Sequence, residues 1–182
     1  MGTSSVSIFL FVLYILINFR ANTGLSNSQL LEKLIRGRKT MTQFCVDTNI
    51  FLHNLEFVDY LIGLPNCMVW VPYLVMQEIE FQMKGNNGPE TEKLAKLANR
   101  EMENWFKEHR KVFRAETVDR AMSASLKRRD RGKDNFDHDD KILDYCKKRG
   151  PGAVLITNDN NLTVKVSSLL IEIQHIIFKK IQ

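Results

Sequence analysis

Gln43–Asp47 reads QFCVD, a short apolar run that closes on a carboxylate. It predicts a buried strand whose last residue stands where the chain turns toward a helix. Outward from it the pattern repeats. A helix through Leu55, Val58, Leu61 and Ile62 closes at Gly63 before Pro65. Met68–Val71 is a second apolar run, and Pro72 opens a helix through Leu74, Val75, Glu78 and Ile79 that ends at Gly85. After the polar GNNGP loop, a long amphipathic helix carries Leu94, Leu97, Ala98, Met102, Trp105 and Phe106 on one face. A basic stretch runs to Lys133, and a helix from about Asp139 ends at Gly150-Pro151. Ala153–Thr157 (AVLIT) is a third buried strand, followed by a short helix and a last strand near Leu170–Gln174. Strands alternating with helices predict an α/β fold, a parallel sheet flanked by helices.

The chain has 182 residues, 44% of them hydrophobic, which suits one domain of ordinary size and excludes wholesale disorder. Cys45, Cys67 and Cys146 lie far apart, which excludes a disulfide-stapled scaffold and a four-cysteine zinc site. The net charge of +5 is unevenly spread: residues 1–40 carry +4 and residues 41–182 only +1. The first forty residues also differ in kind. Ile8–Ile17 is an unbroken apolar run, IFLFVLYILI, extended by Val6 and Phe19. As a helix this segment reaches about 21 Å, short of the roughly 30 Å hydrocarbon core. It reads either as a secretory or membrane-anchoring segment or as an aberrant leader, so residues 1–40 form a leader and linker and residues 41–182 the functional domain.

In a parallel sheet with flanking helices, ligands bind at the carboxyl ends of the strands. Asp47 closes the first strand, Asp159 follows the third, Asp139 and Asp140 open the helix between, and Glu78 lies two turns into its helix. Each alone reads as a helix cap or a solvated charge. Their recurrence at one sheet edge reads differently, because converging carboxylates repel one another and raise their pKa values. A hard divalent cation resolves the conflict, and oxygen-only ligands favour Mg²⁺ or Mn²⁺. Such a site suits phosphodiester hydrolysis. Lys127, Arg128, Arg129, Arg131 and Lys133 (KRRDRGK) read as a phosphate-contacting lip beside it, or as a solvated loop or nuclear-localisation patch. Phe113 and Phe136 are candidates for base stacking or for the core.

Four blocks, VDTNI (Val46–Ile50), VMQEIE (Val75–Glu80), HDDKIL (His138–Leu143) and TNDNNL (Thr157–Leu162), occur in the order and spacing of PIN-domain nucleases. The resemblance covers about Gln43 to Leu170 and is greatest to the endoribonucleases of mRNA surveillance. It implies a Rossmann-like PIN fold with an acidic cleft at the strand carboxyl edge, holding Mg²⁺ or Mn²⁺. By matching motif, Asp47, Glu78, Asp139 and Asp159 become the metal-binding and catalytic carboxylates. Asp140 either reaches the metal or caps the helix. Asn49 would orient Asp47 by hydrogen bonding, and Thr157 and Asn158 would shape the other side. The implied reaction is endonucleolytic cleavage of single-stranded RNA by metal-activated water, leaving a 5′-phosphate. Implied partners are RNA and mRNA-processing or surveillance proteins, in nucleus or cytoplasm. His138 stands where relatives of this branch carry Asn, and the apolar leader has no counterpart in the family pattern. The rival reading is a catalytically silent PIN module that binds RNA or protein. A haloacid-dehalogenase-like phosphatase needs a second Asp where Asn49 stands, and no Walker loop or dinucleotide glycine fingerprint is present.

Overall fold

The computed structural model describes residues 29, 31–32, 35–36, 40–116, 138–149, 153–162 and 174–177. The described elements are β1 (Thr42–Val46), α1 (Thr48–His53), α2 (Leu55–Gly63), β2 (Cys67–Val71), α3 (Tyr73–Met83), α4 (Pro89–Glu108), β3 (Phe113–Ala115), α5 (His138–Lys147), β4 (Val154–Thr157) and β5 (Gln174–Ile177). The strands form one five-stranded sheet in the order β3-β2-β1-β4-β5, and every pairing is parallel. The chain moves outward from β1 to β2 and β3 on one side, then returns to β4 and β5 on the other. β1 and β4 therefore flank the point where strand order reverses, the place where an open parallel sheet leaves a crevice at its carboxyl edge.

Burial follows from this position. In β1 Phe44, Cys45 and Val46 are all fully buried, and in β4 every residue is, as central strands covered on both faces require. Register sorts the two faces. Phe44, Val69 and Phe113 stand in line across three strands, and Cys45 and Trp70 pair on the opposite face. Against Phe113 pack Trp105 and Phe106 of α4 and Phe51 of α1, at ring-centroid distances of 5.3, 4.7 and 6.4 Å. On the other face lies α5, with the Cys146 thiol hydrogen-bonded to Cys45. That bond, with burial second, holds the Cys146 thiol well above the ordinary range; all three cysteines are buried thiols outside any disulfide.

The end of α5 is pinned. The Arg149 guanidinium lies 4.2 Å from the Trp70 ring centre and 4.6 Å from that of Tyr145, and its carbonyl accepts from Gln43 Nε2 at 3.1 Å. Gln43 in turn accepts from Trp70 Nε1 at 3.0 Å. Arg149 thus sits at the start of β1 and Cys146 at its middle, so α5 runs antiparallel to the strands. Its first turn, with Asp139 and Asp140, is carried toward the carboxyl edge.

Several expectations change. The helix expected through Leu55 to Gly63 is α2; a further short helix, α1, precedes it, and Asn54, at φ −144° and ψ 47°, separates the two. Strand β3 was not read from sequence, since three residues carry no periodicity. The last strand is Gln174–Ile177 rather than Leu170–Gln174; a long apolar run offers several registers, and pairing with β4 selects one. On α4 the buried stripe is Ala95, Ala98, Met102 and Trp105, while Leu97 is 37% exposed, because two residues past Ala95 is about 200° around a helix. Gly85 (φ +79°) and Gly88 (φ +92°) make the turn between α3 and α4, and Pro89 occupies the first position of α4.

The packed body begins ahead of Met41: Leu31 is fully buried in the core, and Glu32 accepts from the Tyr60 hydroxyl at 3.1 Å. Ile35, Arg36, Thr40, Thr42, Leu64 and Asn66 line a cavity of about 350 Å³ at the amino edge of the sheet, and no candidate carboxylate faces it. No helix among the described residues is long and apolar enough to cross a membrane. The apolar run Ile8–Ile17, the basic stretch Lys127–Lys133 and Phe136 lie outside the described residues.

Candidate functional site

Asp47 follows β1 directly, and its backbone N–H donates to Ile156 O of β4 at 3.0 Å, which sets it beside Thr157 across the strand pair. It caps α1, yet it is only 5% exposed. A buried carboxylate needs donors on both oxygens, and it has them. Thr48 N–H donates to Oδ1 at 2.7 Å, and the fully buried Thr157 hydroxyl donates to Oδ2 at 2.7 Å. Thr157 Oγ1 also accepts from Asp159 N–H at 3.0 Å, and Asp159 Oδ1 caps the next turn by accepting from Asn161 and Leu162 N–H at 2.7 and 3.2 Å. From the other side, Thr48 Oγ1 donates to Glu78 Oε2 of α3 at 2.7 Å.

The result is a cluster of like charges. Burial pushes the Asp47 carboxyl up from 3.8 to about 6, against the lowering effect of its bonds to Thr157 and Thr48, and the charges of Glu78 and Asp159 add to the rise. Asp47, Glu78 and Asp159 are therefore brought together, Glu78 through Thr48 and Asp159 through Thr157. Asp139 and Asp140 stand half-buried in the first turn of α5, over the same sheet face as Thr157. Exposed His138 opens that helix, and half-buried Asn158 precedes Asp159. Among the described residues no three carboxylate, histidine or cysteine groups close to metal-holding distance. In chemistry the donor set still fits a hard divalent cation: oxygen ligands only, around a carboxylate whose charge burial and its neighbours oppose.

The orienting role that the sequence gives to Asn49 falls to other groups, since the described hydrogen bonds to Asp47 come from Thr48 and Thr157. Thr48 was missed altogether. It carries no charge and no periodic signal; only its place after a strand-end carboxylate marks it. Thr157, expected merely to shape the far side, is a direct partner of Asp47. Replacing it with valine keeps its volume but strips a donor from Asp47 and an acceptor from Asp159 N–H. Thr157→Val should cost about 1–3 kcal/mol in urea unfolding at pH 7.5, with Thr157→Ser recovering most of it.

The PIN domain profile matches residues 44–176. A domain of a functionally unknown protein from Methanocaldococcus jannaschii DSM 2661 is similar in structure, with a TM-score of 0.50 at 17% sequence identity; the match covers 78% of this chain and 94% of that one. At that identity the likeness speaks for the fold alone. No curated protein matches the chain.

Proposed function

The chain belongs to the PIN domain family, and on that premise we propose that it is an endoribonuclease that hydrolyses single-stranded RNA at a Mg²⁺ or Mn²⁺ site. PIN domains are in general nucleases, so the hydrolase class follows from the family, while the metal and the RNA substrate are this reading's own. The observation that carries it is Asp47: a carboxyl 5% exposed, at the sheet's switch point, pushed to about 6 with Glu78 and Asp159 adding to the rise. A group so placed is costly unless a cation offsets its charge.

Asp47, Glu78, Asp139 and Asp159 would hold the cation, with Asp140 either joining them or capping α5. When bound, the cation supplies Lewis acidity for activating water and offsetting charge on the phosphoryl group. Thr48 and Thr157 keep Asp47 fixed and accepting, and Asp159 is held by the cap it forms. Lys127, Arg128, Arg129, Arg131 and Lys133 would supply the positive charge that contacts RNA phosphates. The likeness of the four sequence blocks to mRNA-surveillance endoribonucleases supports a role in RNA surveillance or turnover, with processing or surveillance proteins as partners. Nucleus or cytoplasm is the matching location; use of the Ile8–Ile17 run would instead place the chain at a membrane or in the secretory route.

A second reading has its own support. The PIN fold and its buried Asp47 are equally compatible with a silent PIN module acting as an RNA- or protein-binding scaffold. Metal titration followed by product analysis separates the two. At 100 times its dissociation constant, Mn²⁺ bound to the native state alone adds about 2.7 kcal/mol and raises Tm by roughly 5–10 °C. The nuclease reading expects that shift together with RNA fragments bearing 5′-phosphates. A shift with no cleavage of any unstructured RNA favours the scaffold.

A further inference from the structure

We propose that Thr48 is a positioning residue: it ties Asp47 and Glu78 together and sets the pose in which the pair meets a divalent cation. The inference rests on the metal reading above and deepens it.

The two carboxylates arrive on different elements, thirty-one residues apart in sequence, and like charge drives them apart. Thr48 bridges them with two different groups. Its backbone N–H donates to Asp47 Oδ1 and its hydroxyl donates to Glu78 Oε2, both at 2.7 Å. The residue is 2% exposed at the first position of α1, so water cannot readily take over either bond. The helix packs against α3, and no other described hydrogen bond joins the Glu78 carboxylate to the Asp47 turn.

The chemistry of the donor matters. A lysine or arginine there would quiet the repulsion by supplying a positive charge and would compete with a cation for the same oxygens. A hydroxyl supplies one proton and no charge. It commits Oε2 of Glu78 and leaves Oε1 for a ligand. β-Branching narrows the side chain's rotamer choice, so the hydroxyl is aimed before any ligand arrives. Groups that orient ligating residues in this way are typically worth 10- to 100-fold in metal affinity.

The test uses the full chain at pH 7.5. Mn²⁺ affinity is measured calorimetrically for wild type, Thr48→Val, Thr48→Ser, Glu78→Gln and the Thr48→Val/Glu78→Gln double variant, with circular dichroism reporting the fold. Thr48→Val should weaken Mn²⁺ binding about 10- to 100-fold, and Thr48→Ser should stay within about threefold of wild type. In the Glu78→Gln background the valine should add almost nothing, because the group it positions is gone. Where Thr48→Val fails to fold, Thr48→Ala takes its place in the same cycle. Wild-type affinity in Thr48→Val, or an equal loss in both backgrounds, overturns the positioning role while the metal reading stands. A wild-type chain that binds no Mn²⁺ overturns the metal reading and this inference with it.

Discussion

Asp47→Asn should make the metal-free chain more stable at pH 7.5 while ending the proposed nuclease activity. The two effects share one cause. Burial raises the native carboxyl from 3.8 to about 6, so between about pH 4 and 6 the native state binds a proton that the unfolded chain has released. Stability therefore falls as pH rises through that window, by an amount on the order of 3 kcal/mol, and above it the full cost of the buried charge is present. An uncharged amide of the same shape avoids this cost but mismatches one of its two donors, which leaves a gain of about 1–2 kcal/mol. Urea unfolding in EDTA at pH 7.5 checks the gain, and a repeat at pH 4 should show none. Equal or lower stability at pH 7.5 would mean that Asp47 is not held as an uncomfortable charge. A lost cation ligand removes several kcal/mol of transition-state stabilisation, so cleavage should drop by about 10³-fold or more.

The largest loss of stability is expected far from that site. Phe113 is 1% exposed and forms the meeting point of Phe51, Trp105 and Phe106. It is also the anchor of β3, a three-residue strand that, among the described strands, pairs only with β2. Phe113→Ala removes the ring from three partners and leaves a cavity between α1, α4 and the sheet. The expected cost is about 3–5 kcal/mol, a large share of the 5–15 kcal/mol typical of a domain. Denaturant unfolding reads it directly. A cost under about 1 kcal/mol would show that β3 and α4 repack without the ring, and would reopen a role for Phe113 in stacking on bases.

Phe113 also marks where sequence reading stops. An isolated aromatic beside Arg114 and Arg110 fits a base-stacking platform as well as a core, and only the register Val69↔Phe113 turns it inward. The central strands were legible because they are buried on both faces and read as unbroken apolar runs. Sheet order was not, since nothing in local pattern says that β4 pairs with β1 rather than with β3. The carboxylates were legible as a recurrence at one edge; the threonines were not, because a hydroxyl beside an Asp looks the same in sequence whether it caps, bridges or faces water. Asn49 shows the converse: a residue type suited to orienting Asp47 was assigned a bond that Thr48 and Thr157 make instead. The net charge of +5 says little about the domain, since most of it sits in residues 1–40.

In the proposed function, the carboxylates gathered at the β1–β4 switch point cut RNA with a divalent cation. The most direct measurement incubates labelled unstructured RNA with the wild-type chain and with Asp47→Asn, each in Mn²⁺ and each in EDTA. Cleavage by wild type in Mn²⁺ alone, with all three other reactions silent, is the predicted result. Equal cleavage by Asp47→Asn in Mn²⁺, or by wild type in EDTA, would contradict it.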